Sequence, residues 1–129
     1  MSFNRGEVWL ANLNPTKGSE QAGTRPVIVF QESTLAKFTT TIITIPVTSN
    51  LRRAVLPTCV QITKGEGGLN QDSVALCHQI RVLDRTRLFK KLGQLETGTI
   101  STLETTVLFT LGREFDGFRR WREVEPASL

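Results

Sequence analysis

Short apolar runs separated by turn residues occupy the chain as far as residue 83. Glu7-Val-Trp-Leu-Ala-Asn-Leu13 alternates in part, and Pro15 ends it. Pro26 to Phe30 is unbroken and apolar, as in a short strand buried on both faces. Thr39-Thr-Thr-Ile-Ile-Thr-Ile45 is rich in β-branched residues, which suit a pleated, half-buried surface. Leu56 to Thr63 alternates weakly around Cys59 and Val60, and Ser73 to Leu76 and Ile80 to Leu83 complete the strand set. Turn-rich stretches such as Lys64-Gly-Glu-Gly-Gly-Leu-Asn70 lie between them. This spacing predicts a mainly β fold, a small curled barrel. The period then changes. Ile100, Leu103, Val107, Leu108 and Leu111 recur at helical spacing and predict one apolar stripe. Ser101 and Glu104 stand at capping-box spacing, and Thr97 is an equal N-cap candidate. Phe115, Phe118, Trp121 and Val124 repeat at threes, either continuing the helix through Gly112 or forming another.

A chain of 129 residues fits one domain with its own core. No apolar run approaches the ~20 residues of a membrane span, and Met1-Ser-Phe-Asn-Arg-Gly-Glu7 lacks the apolar centre of a signal peptide. The expectation is a cytoplasmic protein without a membrane partner. Cys59 and Cys77 lack metal-ligand spacing and sit in apolar segments, so they read as buried free thiols. The formal net charge is +4. Beyond residue 112, Arg113, Arg119, Arg120 and Arg122 are balanced by Glu114, Asp116, Glu123 and Glu125, so the whole excess belongs to the body of the domain. That favours a polyanionic partner.

Much familiar chemistry is missing. His78 is the one histidine, so no site needing two can form within one chain. No carboxylate cluster or His/Cys set suggests a metal, and no phosphate-binding glycine loop or nucleophile elbow occurs. Any catalysis therefore falls to Arg, Glu, Thr, Ser and His78, and no cofactor or metal is expected. Two places suit that demand. Arg25 follows the polar, glycine-flanked stretch Gly18 to Gly23 and precedes Pro26; Pro46-Val-Thr-Ser-Asn50 ends another strand. A guanidinium matches phosphate geometry, and Thr or Ser hydroxyls can donate to the same group. By local pattern alone, Arg25 is either a solvated turn cation or a phosphate clamp, and Thr48 either a plain turn residue or its partner.

Taken together, the motifs resemble the MazF/PemK family of toxin endoribonucleases. The matching residues are Arg5-Gly-Glu-Val-Trp-Leu-Ala11, Pro15 with Gly18-Ser-Glu-Gln21, and Arg25-Pro-Val27. Ile45-Pro-Val-Thr-Ser49, Gly68-Leu69, Asp72-Ser-Val74 and Gln79-Ile-Arg81 with Asp84 follow in order. The resemblance covers about residues 5–112. It implies an SH3-like β-barrel with a C-terminal helix, a homodimer, metal-independent cleavage of single-stranded RNA, and silencing by a cognate antitoxin with an acidic extended segment.

The resemblance puts the catalytic pair on Arg25 and Thr48. The reaction implied is attack of the ribose 2′-hydroxyl on the adjacent phosphate, giving a 2′,3′-cyclic phosphate and a 5′-hydroxyl. Glu20 matches a loop Glu given weight in the family and is a candidate proton acceptor, delivered by a moving loop; the resemblance leaves acid/base duty open to Arg25 as well. His78 departs from the acid that relatives commonly carry before Gln79; it is either a base with a better-placed pKa or a partly buried polar residue. Leu76 stands where PemK-like members have a partner Arg, which favours the Arg25/Thr48 arrangement. Ser19, Gln21, Ser49, Arg52, Arg53 and Arg81 are candidate RNA contacts; Arg81 is equally suited to a structural ion pair, and Trp9 is either a stacking platform or a packing residue. Residues 113–129 extend past the resemblance, and their apolar face is expected to pack on the barrel or a partner subunit. The alternatives are a non-catalytic CcdB-like topoisomerase poison, whose Trp-Gly-Ile ending Pro126-Ala-Ser-Leu129 does not match, or an inactive barrel that binds RNA or a partner.

Overall fold

The computed structural model describes residues 2–113, so the packing expected of the extension beyond Arg113 lies outside the described residues. Seven strands precede one helix: β1 Glu7–Asn12, β2 Thr24–Val29, β3 Thr41–Thr48, β4 Cys59–Ile62, β5 Ser73–Leu76, β6 Arg81–Asp84, β7 Leu88–Gln94 and α1 Thr97–Thr110. Every pairing is antiparallel. The sheet order is β4-β5-β3-β2-β1-β7, with β6 also on β3, and its ends β4 and β7 are not hydrogen-bonded to each other. The barrel expected from the turn spacing is thus a curled sheet with one open seam.

Glycines fill that seam. The turn Glu66–Gly68, between β4 and β5, lies against β7. A Cβ on Gly68 would stand 2.0 Å from the Leu92 carbonyl oxygen, and one on Gly93 would stand 2.6 Å from the Gly67 carbonyl carbon. Backbone meets backbone here, which only residues without a side chain allow.

Both faces of the central strands are buried. Val8, Ile28 and Ile45 join Val60, Leu103 and Val107 in one core. Trp9, Val27, Val29 and Ile42 join Phe3 and Leu83 in the other. The apolar run Val27-Ile-Val29 is continuous because alternate side chains enter different cores.

Four sequence expectations change. β7 was not foreseen: Lys90 and Lys91 hide its alternation, yet Leu88 is buried and the strand pairs with β1. β3 does not stop at Ile45 but continues through Pro46 to Thr48. The helix begins after Glu96, with no side-chain cap, so neither Thr97 nor Ser101 caps it; Glu104 pairs with Arg5 at 2.6 Å instead. Leu103 and Val107 are buried and Ile100 half-buried, but Leu108 and Leu111 are exposed. Leu108 lies about 100° around the helix from Val107, and Leu111 is already the C-cap.

Candidate active site

Arg25 and Thr48 meet through strand register. Arg25 is the second residue of β2, at its exposed entrance, opposite Ala11 of β1. On the other side of β2, Val27 opposes Pro46 and Ile28 opposes Ile45. Continuing that register two residues sets Arg25 opposite Thr48. Both line a cavity of about 190 Å³, together with Ser49, Asn70, Gln71 and Ser73.

The two side chains are prepared differently. Arg25 is exposed, and its Nε donates to the Ala22 carbonyl at 3.1 Å, which aims the fork and leaves the terminal nitrogens free. Thr48 is only 6% exposed. Its Oγ1 accepts the Asn50 N–H at 3.1 Å. A hydroxyl whose oxygen is accepting still has its own proton to donate. Asn50 Oδ1 in turn accepts the Arg52 N–H, which starts the next helical turn.

A second, larger cavity of about 520 Å³ follows along the same segment, lined by Ser19, Glu20, Arg52, Arg53, His78 and Gln79, with Val55 and Leu56 as its apolar part. Pro46 explains how His78 and Gln79 reach it. β6 pairs with β3 so that residue numbers sum to 125 (Thr44 with Arg81), whereas β5 pairs with a sum of 122 (Val47 with Ala75). The three residues between the registers form the helical turn Cys77–Gln79. They leave the ladder beside Pro46, which has no N–H to give it. The turn is therefore ejected toward the β1–β2 loop. Gln79 clamps that loop, its Oε1 accepting the Gln21 N–H at 2.9 Å and its Nε2 donating to the Ser19 carbonyl at 3.2 Å.

The ionisable groups of this cavity are held in distinct ways. Glu20 Oε1 accepts the Lys17 N–H at 2.6 Å, so one carboxylate oxygen is committed to the loop. His78 Nδ1 is 2.8 Å from Thr58 Oγ1. Partial desolvation, and then the Arg53 charge, hold His78 below the ordinary histidine range and favour the neutral ring. Arg53 Nε is buried and has no hydrogen-bond partner.

The candidate residues thus divide. Arg25, Thr48 and Ser49 share the first cavity; Ser19, Glu20, Arg52, Arg53 and His78 share the second. Gln21 meets the site through its backbone. Arg81 lines neither cavity, and its Nη1 donates to the Leu13 carbonyl at 3.4 Å. Trp9 is 5% exposed, hydrogen-bonded to Glu7 and packed on Phe3, so packing is its place. Gln79 and Leu56 carried no assigned role in the sequence reading; a glutamine beside an ejected turn gives no local signal. Cys77 is buried, its thiol pushed up to about 12 by desolvation, while Cys59 is only half-buried. No helix among the described residues is long and apolar enough to cross a membrane.

The comparisons with known proteins converge. The PemK-like, MazF-like toxins of type II toxin–antitoxin systems match residues 4–111 as a family. The endoribonuclease MazF of Staphylococcus saprophyticus is 41% identical over 110 residues, covering 85% of this chain and 92% of that protein. MazF from Deinococcus radiodurans superposes with a TM-score of 0.76 at 25% identity, over 87% of this chain and 98% of that one. A mycobacterial endoribonuclease solved with its cognate antitoxin shares the fold, with a TM-score of 0.74 at 19% identity over 88% and 99% of the two chains.

Proposed function

The chain belongs to the PemK-like, MazF-like toxins of type II toxin–antitoxin systems, and from that premise we propose that it is a toxin endoribonuclease. It cuts single-stranded RNA by attack of the 2′-hydroxyl on the neighbouring phosphate, leaving a 2′,3′-cyclic phosphate and a 5′-hydroxyl. The observation that carries this reading is that Arg25 and the buried, proton-bearing Thr48 hydroxyl line one cavity just past the β2–β3 ladder.

The roles follow from the side chains. As the phosphorus becomes five-coordinate, negative charge grows on its non-bridging oxygens. Arg25 meets that charge with a guanidinium, and Thr48 donates its free O–H. Both are placed before the reaction, so little reorganisation is needed. Arginine stays protonated through the neutral range and is a poor proton acceptor. The 2′-proton therefore goes to a base in the second cavity, where Glu20 and neutral His78 stand, and the departing 5′-oxygen takes a proton from solvent to become the hydroxyl. DNA lacks the nucleophile and is left intact.

Partners follow from charge. No ion pair in the described structure involves Arg25, Arg52 or Arg53, so they suit an RNA strand or an acidic extended antitoxin segment competing for it. The mycobacterial relative was solved with its cognate antitoxin. A homodimer completes the reading.

The test is incubation with a long single-stranded RNA in EDTA, with end-group analysis of the products. Cleavage is expected to persist in EDTA, because Arg25 and Thr48 supply the stabilising charge. Arg25→Ala and Thr48→Ala should each lose roughly 10²–10³-fold in rate, and Arg25→Lys should also be impaired, since a point charge does not reproduce the fork. Absence of cleavage, or cleavage indifferent to these substitutions, refutes the reading. The pH profile assigns the base. An acid limb below the ordinary histidine range that disappears in His78→Ala identifies His78; one that survives there and disappears in Glu20→Gln identifies Glu20.

A further inference from the structure

The second cavity contains a donor that the reaction does not use. Arg53 sits in the helical turn Leu51–Val55, and its Nε is buried without a hydrogen-bond partner. No carboxylate pairs with it: the ion pairs of the described residues are Arg5–Glu104 and Lys91–Glu7. The ionisable groups that share its cavity are His78, kept neutral, Arg52, and Glu20, one oxygen of which is committed to the Lys17 N–H. The Arg53 Nε is sealed from the cavity, so a ligand's acceptors would meet the terminal nitrogens of the guanidinium, which belongs to a residue that lines the cavity.

The surroundings decide the kind of acceptor. Val55 is 85% exposed, and Leu56 lines the cavity beside it. A phosphate gains nothing from covering two aliphatic side chains, and keeps its water best at the rim. A nucleobase gains from covering them and brings acceptors on its edge. RNA outside a duplex presents bases in this splayed form. The planar fork needs two acceptors side by side. Guanine offers O6 and N7; adenine sets an amino group beside N7, and uracil offers a single oxygen on that edge. Cytosine has two acceptors on another edge but covers less of the Val55–Leu56 surface.

We propose that Arg53 is a specificity-determining residue that reads the O6/N7 edge of a guanine flanking the scissile phosphate, with the base laid against Val55 and Leu56. This rests on the endoribonuclease reading above. The six residues from Thr48 to Arg53 put the two contacts on one chain segment, so one short RNA strand can engage both.

The experiment is cleavage of a randomised RNA pool, with the new ends sequenced. Guanine is expected at one fixed position near the cut, favoured over other bases by roughly 5- to 150-fold, the range of a bidentate contact. Synthetic substrates then test the edge on the unaltered protein, so folding of a variant is not at issue. Inosine, which keeps O6 and N7, should be cut like guanine; 7-deazaguanine, which lacks N7, should be cut poorly. Arg53→Gln and Arg53→Lys should both flatten the preference at that position, with thermal melting confirming the fold. Cleavage without guanine enrichment, or 7-deazaguanine cut as well as guanine, overturns this inference alone. So does uniform weakening by Arg53→Gln with full rescue by Arg53→Lys, which marks a phosphate contact. No cleavage by the unaltered protein overturns the nuclease reading beneath it.

Discussion

Glu7 shows what a single residue of a recurring motif is for. It is 3% exposed, yet its carboxylate accepts from the Asn4 N–H, the Asn4 amide, Trp9 Nε1 and Lys91 Nζ. Burial alone raises its pKa, but these donors together outweigh burial and leave it below the ordinary glutamate value. A folded pKa below the unfolded one stabilises above the unfolded value of 4.5, and that contribution is lost as pH falls through the folded pKa. Glu7→Gln is therefore expected to cost about 1.5–3 kcal/mol at pH 7. Urea midpoints should show the gap to the parent closing as the pH drops well below 4; a constant gap would mean that packing, not charge, is lost. At this scale Arg25 and Thr48 were candidates whose residue types suit phosphate, and the family resemblance, not local pattern, paired them. Arg53 was named as a candidate RNA contact and Gln79 only as part of a matching motif; the clamp and the unpaired nitrogen themselves are products of neighbours distant in sequence.

Elements were legible where side-chain pattern forms them and obscure where the backbone does. The buried run at Val27 and the β-branched run before Pro46 announced β2 and β3. β7 did not announce itself, because Phe89, Lys90 and Lys91 are exposed and mask a strand that the glycine seam and β1 hold in place. Helix α1 is a poor helix by composition. Thr102, Thr105, Thr106 and Thr110 donate to carbonyls one turn back, a habit neutral to unfavourable for helices, so the packing of Leu103 and Val107 carries it. Two glycine substitutions separate the seam from ordinary flexibility. Gly93→Ala drives a Cβ into the backbone of Gly67 and Gly68 at 2.6 to 2.8 Å and should destabilise by about 1–3 kcal/mol. Gly98→Ala, with nothing within 4 Å and a helical position, should stabilise by about 0.4–1 kcal/mol. Thermal melting of the two variants should move in opposite directions; equal shifts would refute the close-contact account of the seam.

Across the whole molecule, charge and topology answer different questions. The net charge of +4 bears on how a polyanion is drawn in. Arg25 lines the first cavity and Arg52 and Arg53 the second, and the segment from Thr48 to Leu56 connects the two. RNA affinity should accordingly fall with salt, with a log–log slope of about −0.7 for each phosphate contact, and Arg52→Gln should shallow it. A slope unchanged by that substitution would place Arg52 outside the RNA path. The sequence by itself determined the family and the mainly β fold, because each depends on residue types at recognisable spacing, and through the resemblance it put Arg25 and Thr48 forward as a pair. Only the tertiary structure decided that Glu20 and His78 share a cavity separate from that pair, that Gln79 holds the loop, and that Arg53 keeps a buried donor unsatisfied. The physical reason is the break at Pro46. A missing N–H there coincides with a shift of three residues in the ladder and with a turn ejected across the sheet, and such an offset belongs to two strands at once and is written in neither alone.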